Sequence, residues 1–370
     1  MSLIKNLSNI PGWRTNRQLI VIESDDWGSI RMPSMEVFTA LEINGIDLAN
    51  DEGYVFNKYD SLASENDLSL LFEVLLSVRD SVGKPAVLTP FCVVANPDFE
   101  KIKLSDFTEY HYKPFTEELS ETTGCEGSFA LWKQGIEEGI FVPQFHGREH
   151  LNVKVWMKAL RNSHSETMLA FDKGVWGFST AQDPDIGVEF QAAFDFLDRG
   201  DIDYHKKIIG SGLDLFEELF GYRAVCFVPP NGLYSNQLES FCLTQGINMI
   251  GVSKIRHEPV GSGRYIKKIH WPGQKSTSGL RYLTRNCLFE PSQQGRDWVG
   301  SCLKDISTAF RWNKPAVIST HRVNFMSSHS SHNRDNGLHQ LDTLLRSIVK
   351  QWPRAEFIST GELVRMICDE

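Results

Sequence analysis

The chain has 370 residues, of which 41% are hydrophobic and 23% are charged, an ordinary composition for a soluble globular protein. The net charge of −9 and the pI of 5.7 argue against nucleic-acid binding, which a basic surface would favour. No apolar run approaches the roughly 18 residues that a membrane-spanning helix requires.

Short runs rich in β-branched residues alternate with longer segments of helical periodicity. The predicted elements, in chain order, are a strand near 19–24, a helix over 67–76, strands near 86–94 and 140–145, a helix over 211–220 that ends at Gly221, strands near 223–228, 247–252, 279–284 and 315–320, a helix over 338–352 that Pro353 stops, and a strand near 356–359. This alternation indicates a parallel sheet or an α/β barrel. Because no internal repeat and no low-complexity linker is present, we expect one domain over 1–370.

Two stretches, 95–139 and 170–205, are longer than a strand–helix–strand unit requires. Segments of this length in a compact domain often form lids or walls of a binding site. They are equally consistent with surface insertions that contain minor helices. We therefore predict two long insertions and leave both roles open.

The first eleven residues lack a long apolar stretch and a small-residue cleavage site, so they do not resemble a signal peptide. The seven cysteines include no close pair, and their odd number favours reduced thiols over a disulfide framework. Both observations favour the cytoplasm.

Three apolar, strand-like runs far apart in the chain each end in residues that bind metals or transfer protons. Asp25 and Asp26 follow the first run, His146 and His150 follow the second, and His321 follows the third. In a sheet or barrel of parallel strands, the C-terminal ends of the strands lie on one face, which carries the active site. We therefore expect these five side chains to meet, as they would in a metal-dependent hydrolase.

Each group taken alone has an ordinary explanation. His146 and His150 are four residues apart and would face the same way on a helical turn, but either can be a solvated surface histidine. Acidic pairs such as Asp25 and Asp26 also cap helices. Zinc sites commonly take three protein ligands and a water, so a carboxylate near the histidine pair favours a metal. Adjacent aspartates cannot easily point the same way, which suggests that one binds metal and the other accepts a proton.

Four blocks of this sequence, in this order, resemble the signature motifs of the polysaccharide deacetylases, carbohydrate esterase family 4, of the NodB-like superfamily. The blocks span about residues 18 to 325 and are Glu23-Ser24-Asp25-Asp26, His146-x-x-x-His150, Pro229-Pro230-Asn231-Gly232 and Ile318-Ser319-Thr320-His321. The order of the blocks, more than any one of them, carries the resemblance. It implies a distorted (β/α)7 barrel that holds one divalent metal, usually zinc, with other divalent transition metals as alternatives.

The same resemblance implies a role for each matching residue. It implies a metal triad of Asp26, His146 and His150. It also implies that Asp25 is the catalytic base, that His321 is the catalytic acid, and that the backbone N–H of Asn231 is the oxyanion donor. The residue types suit this chemistry independently, because a metal lowers the pKa of bound water from 15.7 to about 7 and a nearby carboxylate accepts its proton. A histidine across the site then protonates the leaving amine or alkoxide.

This sequence departs from the family pattern at the position that orients the base. The family usually has arginine before the double proline, where this chain has Val228. Arg285, at the end of another predicted strand, is a candidate to replace that arginine or to contact the substrate, and it is equally consistent with an ordinary surface arginine. Asn231 replaces the family's aromatic residue after the prolines, and Trp27 replaces the glycine after the aspartates. The gap between the first two blocks is also longer than in the family.

Other residues are candidates for the wall of a substrate pocket. Trp27 can stack on a sugar ring or belong to the core, and Asn333 and Arg334 follow a polar run after the last block that can form a substrate-binding loop. A group of three histidines lacks a carboxylate at tight spacing and is interpreted as solvated loop; its members are His329, His332 and His339.

Two other functions fit parts of the same sequence. Residues 146–150 match H-x-x-E-H, the inverted zincin motif, in which Glu149 would be the general base of a metallopeptidase. That motif belongs within a helix, whereas Gly147 and the preceding strand allow only the start of one, and the motif leaves the aspartate pair and His321 unexplained. A metal-containing, non-catalytic carbohydrate-binding relative is the other alternative. The missing arginine favours it, and the complete set of five site residues disfavours it.

The expected function is metal-dependent removal of an acetyl group from an N- or O-acetylated sugar or glycan. The expected substrate is a small or lipid-linked glycan with an N-acetylhexosamine unit, because an acidic cytoplasmic protein has poor access to wall polymers and repels anionic polymers. We expect no nucleic-acid partner and no membrane span. The sequence leaves the oligomeric state open.

Overall fold

The structure of the protein is a computed structural model that describes residues 6–46, 48, 53–180 and 183–369. Residues 1–5, on which part of the signal-peptide prediction falls, lie outside the described residues, as do positions 181 and 182 of the predicted insertion 170–205. The strands are β1 (Gln18–Trp27), β2 (Leu88–Val93), β3 (Ala95–Pro97), β4 (Tyr112–Pro114), β5 (Gln144–Gly147), β6 (Cys226–Phe227), β7 (Met249–Val252), β8 (Ile255–Gly261), β9 (Arg264–Ile269), β10 (Arg281–Thr284), β11 (Cys287–Leu288), β12 (Ala316–His321) and β13 (Ala355–Phe357). The helices are α1 (Met35–Ile43), α2 (Tyr54–Tyr59), α3 (Glu65–Ser77), α4 (Phe99–Leu104), α5 (Phe115–Glu121), α6 (Ser128–Glu137), α7 (Val153–Arg161), α8 (Ser165–Asp172), α9 (Asp201–Phe220), α10 (Glu239–Thr244), α11 (Trp298–Arg311), α12 (Ser331–Gln351) and α13 (Thr360–Cys368).

A nine-stranded parallel sheet forms the centre of the molecule. Eight strands follow the order β10–β7–β6–β5–β2–β1–β12–β11, and β13 pairs with β1. The sheet curls into a half-barrel surrounded by helices, so the predicted α/β class with a distorted barrel is confirmed. The pairing of β1 with β12 runs to Asp25 opposite His321, which places these two predicted site residues on adjacent strands.

The first strand is covered on both faces, which explains its continuous apolar sequence. Residues 19–22 are 0–1% exposed. Successive side chains of a strand point to opposite faces, and accordingly Ile20 and Ile22 pack into a large cluster under the helices, whereas Leu19 and Val21 pack into a smaller one. The smaller cluster draws apolar side chains from six strands of the sheet and is closed by α13. Burial on both faces therefore fixes the position of β1, which carries Asp25 and Asp26 at its C-terminal end.

The predicted strands and helices are all present, and the three largest boundary shifts are at the starts of β5, α9 and α12. β5 begins at Gln144 instead of 140, because Pro143 lacks the N–H that a strand ladder needs. α9 begins ten residues before the predicted start and ends at Gly221, which adopts the left-handed conformation with φ 77°. α12 begins at Ser331 with Ser330 as its N-cap, so part of the polar run after β12 is helical.

The two predicted insertions differ in character. Residues 95–139 contain a small antiparallel pair, β3 and β4, and three helices, α4 to α6. The described part of 173–200 contains neither helix nor strand, yet Trp176 and several phenylalanines in it are at most 3% exposed. This second segment therefore packs against the body of the protein. No described helix is both long and apolar enough to cross a membrane.

Candidate metal centre and active site

Three buried side chains converge at the C-terminal end of the sheet. Asp26 Oδ1 lies 3.3 Å from His146 Nε2 and 3.2 Å from His150 Nε2. All three residues are 2–3% exposed, and one ligand atom of each lies within 4.8 Å of the others. The structure thus brings together the three residues predicted to bind a metal.

A distortion at the end of β1 turns Asp26 toward the histidines. The register of β1 against β2 shifts between Ser24 and Trp27, and Asp26 has a positive φ of 71°, which is rare for residues other than glycine. The strand alternation is broken at this point. Both adjacent aspartates can therefore face the same cavity.

The histidine pair meets by a turn and not by helical spacing. Residues 148–152 are not helical, and the next helix, α7, begins at Val153. Gly147 has φ 134°, and a Cβ there would lie 3.1 Å from the carbonyl oxygen of Glu149. The expectation of a shared helical turn was wrong, because a glycine turn after β5 returns His150 to the side of His146.

The hydrogen bonds and charges of the triad fit a divalent metal. His146 Nδ1 bonds the carbonyl oxygen of Val228 at 2.7 Å, which directs Nε2 toward Asp26, and this buried Nε2 has no hydrogen-bond partner among the described residues. Burial lowers the pKa of His150 and so favours its neutral, ligating form. Burial raises the pKa of Asp26, but His150 and Arg31 more than offset this and hold it well below its usual value. One carboxylate and two imidazoles are a donor set typical of zinc.

Asp25 is held by the arginine that the sequence offered as a candidate. Arg285 Nη2 donates to Asp25 Oδ1 at 2.6 Å, and Arg285 Nη1 donates to Asp25 Oδ2. Burial raises the pKa of Asp25, but the guanidinium more than offsets this, so the pKa is lowered overall. The interpretation of Arg285 as an ordinary surface residue was wrong.

Glu23 accepts a further hydrogen bond from the same guanidinium, a contact that the sequence did not predict. Arg285 Nε donates to Glu23 Oε2 at 2.7 Å, and the other oxygen of this carboxylate accepts from Thr360 Oγ1 at 2.8 Å. Glu23 is fully buried, and burial raises its pKa. A buried glutamate on a central strand requires a charged partner. This requirement was the sequence signal that could have indicated the contact of Glu23 with an arginine.

His321 lies beside Asp25 and is paired with a second carboxylate. His321 Nδ1 lies 2.7 Å from Glu290 Oε1, and His321 Nε2 lies 3.9 Å from Asp25 Oδ2. Partial burial lowers the pKa of His321, but Glu290, Asp26 and Asp25 more than offset this and raise it to about 10. Glu290 lies two residues after the C-terminal end of β11, so the strand-end rule was the signal that could have found it.

A cavity of about 1090 Å³ is lined by the triad together with Asp25, Arg285 and His321. Its wall also includes Phe56 from α2, Gln191 from the second insertion and Asn231. Asn231 has a positive φ of 53° in a 3₁₀ turn, Pro230–Gly232, directly after the double proline. The volume exceeds the roughly 300 Å³ at the lower end of ligand sites and suits a compound larger than a single sugar.

Three residues predicted to contact substrate lie elsewhere. Trp27 is 0% exposed, packs 4.9 Å from the ring of Phe141 and donates from Nε1 to Ser24 Oγ, so it belongs to the core. Asn333 donates to the carbonyl oxygen of Val323, and Arg334 pairs with Asp67. The corrections at Asn333 and Arg334 share one cause, because the polar run after β12 starts a packed helix instead of an open loop. None of the three lines the cavity.

The group of three histidines does not form a second metal site. His329 Nε2 bonds the carbonyl oxygen of Met32, while His332 and His339 are exposed on α12. Among the described residues, only Asp26, His146 and His150 meet the spacing of a metal cluster. These histidines are therefore solvated or capping residues, although two of them lie on a helix and not on a loop.

The metallopeptidase alternative is contradicted by the same geometry. The segment 146–150 is a strand end and a turn, whereas the inverted zincin motif requires a helix. Glu149 is 1% exposed, accepts from Arg148 Nε at 2.6 Å and does not line the cavity. It is therefore not placed as a general base.

No family model and no curated protein sequence matches this chain. Among solved structures, a candidate polysaccharide deacetylase from Mycobacterium smegmatis is 11% identical, with 96% of this chain and 92% of that chain covered and a TM-score of 0.44. The peptidoglycan deacetylase PdaC from Bacillus subtilis is 9% identical over 96% and 93% of the two chains, with a TM-score of 0.37. The α-amylase AmyC from Thermotoga maritima is 9% identical over 94% and 74%, with a TM-score of 0.47. At these values the likenesses carry no argument about the family or activity of this chain.

Proposed function

We propose that this protein is a metal-dependent deacetylase that hydrolyses the acetyl group of an N- or O-acetylated sugar or glycan. The observation that carries the proposal is the meeting of three units in one cavity. They are the triad Asp26, His146 and His150, the pair of Asp25 with Arg285, and the pair of His321 with Glu290. A ligand set, a base and an acid are the groups that hydrolysis of an amide or ester needs.

Asp26, His146 and His150 would hold the metal, most favourably zinc. Such a metal supplies a water of lowered pKa and polarises the acyl carbonyl. The carbonyl oxygen of Val228 fixes the tautomer of His146, with the proton on Nδ1 and the free electron pair of Nε2 directed at the site.

Asp25 accepts the proton of the attacking water. Its two oxygens receive parallel hydrogen bonds from Arg285, so the carboxylate is ionised and its orientation is fixed. Because Asp26 turns toward the histidines, Asp25 is left to act on the water. This supports the expected division of labour between adjacent aspartates.

His321 donates a proton to the leaving amine or alkoxide. Glu290 bonds its Nδ1, which keeps the ring protonated at neutral pH and presents Nε2 to the cavity. The backbone N–H of Asn231, on the cavity wall, is the donor we assign to the oxyanion of the tetrahedral intermediate.

The substrate that we propose is a short acetylated glycan, such as one with an N-acetylhexosamine unit, met as a small or lipid-linked molecule. The cavity size supports more than one sugar unit, and Phe56 supplies an aromatic surface in place of the buried Trp27. The net charge of −9 disfavours long anionic polymers.

The experiment is metal analysis of the purified protein beside acetate release from short N- and O-acetylated saccharides, nucleotide sugars, chitin and peptidoglycan fragments. We expect about one divalent metal per chain and acetate from the short compounds. Asp203→Asn, at an exposed carboxylate that pairs with Lys206, is the matched control for substitutions at Asp25. Bound metal with no acetate from any compound would contradict a deacetylase and favour the non-catalytic carbohydrate-binding alternative. Preference for the long polymers would contradict the substrate proposal alone.

A further inference from the structure

A buried arginine holds the oxygen of Asp26 that does not face the histidines. Arg31 Nη2 donates to Asp26 Oδ2 at 3.1 Å, whereas Asp26 Oδ1 faces His146 and His150. The side chain of Arg31 is 4% exposed. The two oxygens of the Asp26 carboxylate therefore have separate partners.

The position of Arg31 is set by groups outside the triad. Its Nη1 donates to Gln191 Oε1 at 2.7 Å, and its guanidinium lies 5.5 Å and 5.6 Å from the ring centroids of Phe56 and Trp176. Trp176 in turn stacks on the ring of His150, with centroids 6.0 Å apart and planes inclined by 29°. The second insertion and α2 thus clamp the arginine against the metal triad.

A second buried carboxylate does not compete for this arginine. Asp60 Oδ2 lies 3.8 Å from Arg31 Nε, but Arg322 already binds both oxygens of Asp60 at 2.9 Å. Arg31 Nε forms no hydrogen bond among the described residues. The short, directed contact of Arg31 with a carboxylate is the one with Asp26.

We infer that Arg31 is a positioning residue that restricts Asp26 to one ligating oxygen and so keeps the coordination number of the bound metal low. This inference rests on the metal site of the proposed function. A carboxylate binds a metal through one oxygen or two, and a charge-assisted hydrogen bond occupies the second oxygen here. One oxygen and two imidazole nitrogens leave open positions for water and substrate, as catalytic zinc sites require.

The test uses Arg31→Met, which removes the hydrogen bonds and retains much of the side-chain length. Co²⁺ loaded into the site reports coordination, because its visible absorption is strong with four or five ligands and weak with six. We expect weaker absorption in Arg31→Met, since Asp26 can then bind through both oxygens. The ratio of Zn²⁺ to Mn²⁺ affinity, measured by chelator competition, should fall on the order of 10–100-fold, the usual effect of losing a partner of a metal ligand.

Three further variants separate positioning from general damage. Arg31→Lys keeps a donor for Asp26 and should retain most of the cobalt absorption. Arg256→Lys, at a buried arginine that bonds the carbonyl oxygen of Tyr234 and does not line the cavity, should leave both readouts unchanged. Gln191→Leu loosens Arg31 and should give a smaller change in the same direction, which keeps the inference testable if Arg31→Met does not fold.

The inference is overturned if folded Arg31→Met and Gln191→Leu have the same cobalt absorption and the same ratio of Zn²⁺ to Mn²⁺ affinity as the unsubstituted protein. That result would leave the proposed metal site intact. If the unsubstituted protein binds neither Zn²⁺ nor Co²⁺, the proposed metal site is itself wrong, and the inference falls with it. Circular dichroism of each variant establishes folding independently of metal and activity.

Discussion

Arg285 donates two parallel hydrogen bonds to the carboxylate of Asp25. Arg285 lies directly after β10, and Asp25 lies near the end of β1. A third hydrogen bond from the same guanidinium reaches Glu23, two residues before Asp25 on the same strand. Such a fork fixes both the orientation and the ionisation of a carboxylate. Val228 stands before the double proline, and the arginine that contacts Asp25 comes instead from the end of β10.

Replacement of this arginine should slow turnover and leave the metal in place. Arg285→Ala is expected to lower kcat by up to about 10²–10⁴-fold, the range that a positioned base contributes, because Asp25 loses its orientation. Metal content should change little, since Arg285 does not contact the triad. Arg281→Ala, on the same strand and bonded to the carbonyl oxygen of Gly273, is the matched control. Unchanged kcat in Arg285→Ala would contradict the role.

Asp25 itself is expected to be needed for rate and dispensable for metal binding. Asp25→Asn removes a proton acceptor but keeps the size of the side chain, so kcat should fall on the order of 10²–10⁴-fold. Zinc content by elemental analysis should equal that of the unsubstituted protein and of Asp203→Asn. Near-normal turnover in Asp25→Asn would show that another group takes the proton.

The location of the site could be predicted from sequence because it depends on one general rule of parallel sheets. Strands with continuous apolar sequences were recognisable, and their C-terminal ends share one face, so the residues at or just after the ends of β1, β5 and β12 had to meet. The pairing of Asp25 with His321 across β1 and β12 is the direct result. That prediction needed neither the loops nor the helices.

Partners supplied by other segments were harder to predict. Glu290 pairs with His321, 31 residues away, and Arg31 is held by Gln191, 160 residues away, although its contact with Asp26 spans only five residues. The sequence left Trp27 open because a large aromatic residue next to a metal ligand can line a pocket or belong to the core. Only the packing of Phe141 and Trp132 around it shows that it belongs to the core. The turn at Gly147 likewise depends on local backbone geometry that residue spacing does not reveal.

The two histidines of the triad should control metal content. His146→Ala and His150→Ala are each expected to lower bound zinc sharply, because each removes one of three protein ligands. His332→Ala, at an exposed histidine on α12, is the matched control and should retain full metal. The measurement is metal per chain after dialysis against a weak chelator. Full retention in both triad variants would place the metal elsewhere or exclude it.

Trp27 should contribute to stability and not to substrate binding. Trp27→Ala leaves a large cavity among the rings of Phe141 and Trp132, so the free energy of unfolding should fall by about 3–5 kcal/mol. Trp27→Phe should cost less, because it refills much of the space. Denaturant unfolding measures the loss. A raised KM with unchanged stability would instead support the sugar-stacking role.

The carboxylate of Glu290 should set the alkaline limit of activity. His321 acts as an acid, so the protonated ring is the active form and activity is lost as pH rises through its pKa. Glu290 contributes to raising that pKa to about 10.

Glu290→Gln removes the negative charge but keeps an oxygen for Nδ1, so the pKa should fall and the alkaline limb of kcat/KM should move to lower pH. The limb should disappear in His321→Ala, together with most of the rate. Rate profiles between pH 6 and about 11 provide the measurement, because the limb of the unsubstituted protein is expected near pH 10. An alkaline limb at the same pH in Glu290→Gln and in the unsubstituted protein would show that the limb belongs to a group other than His321.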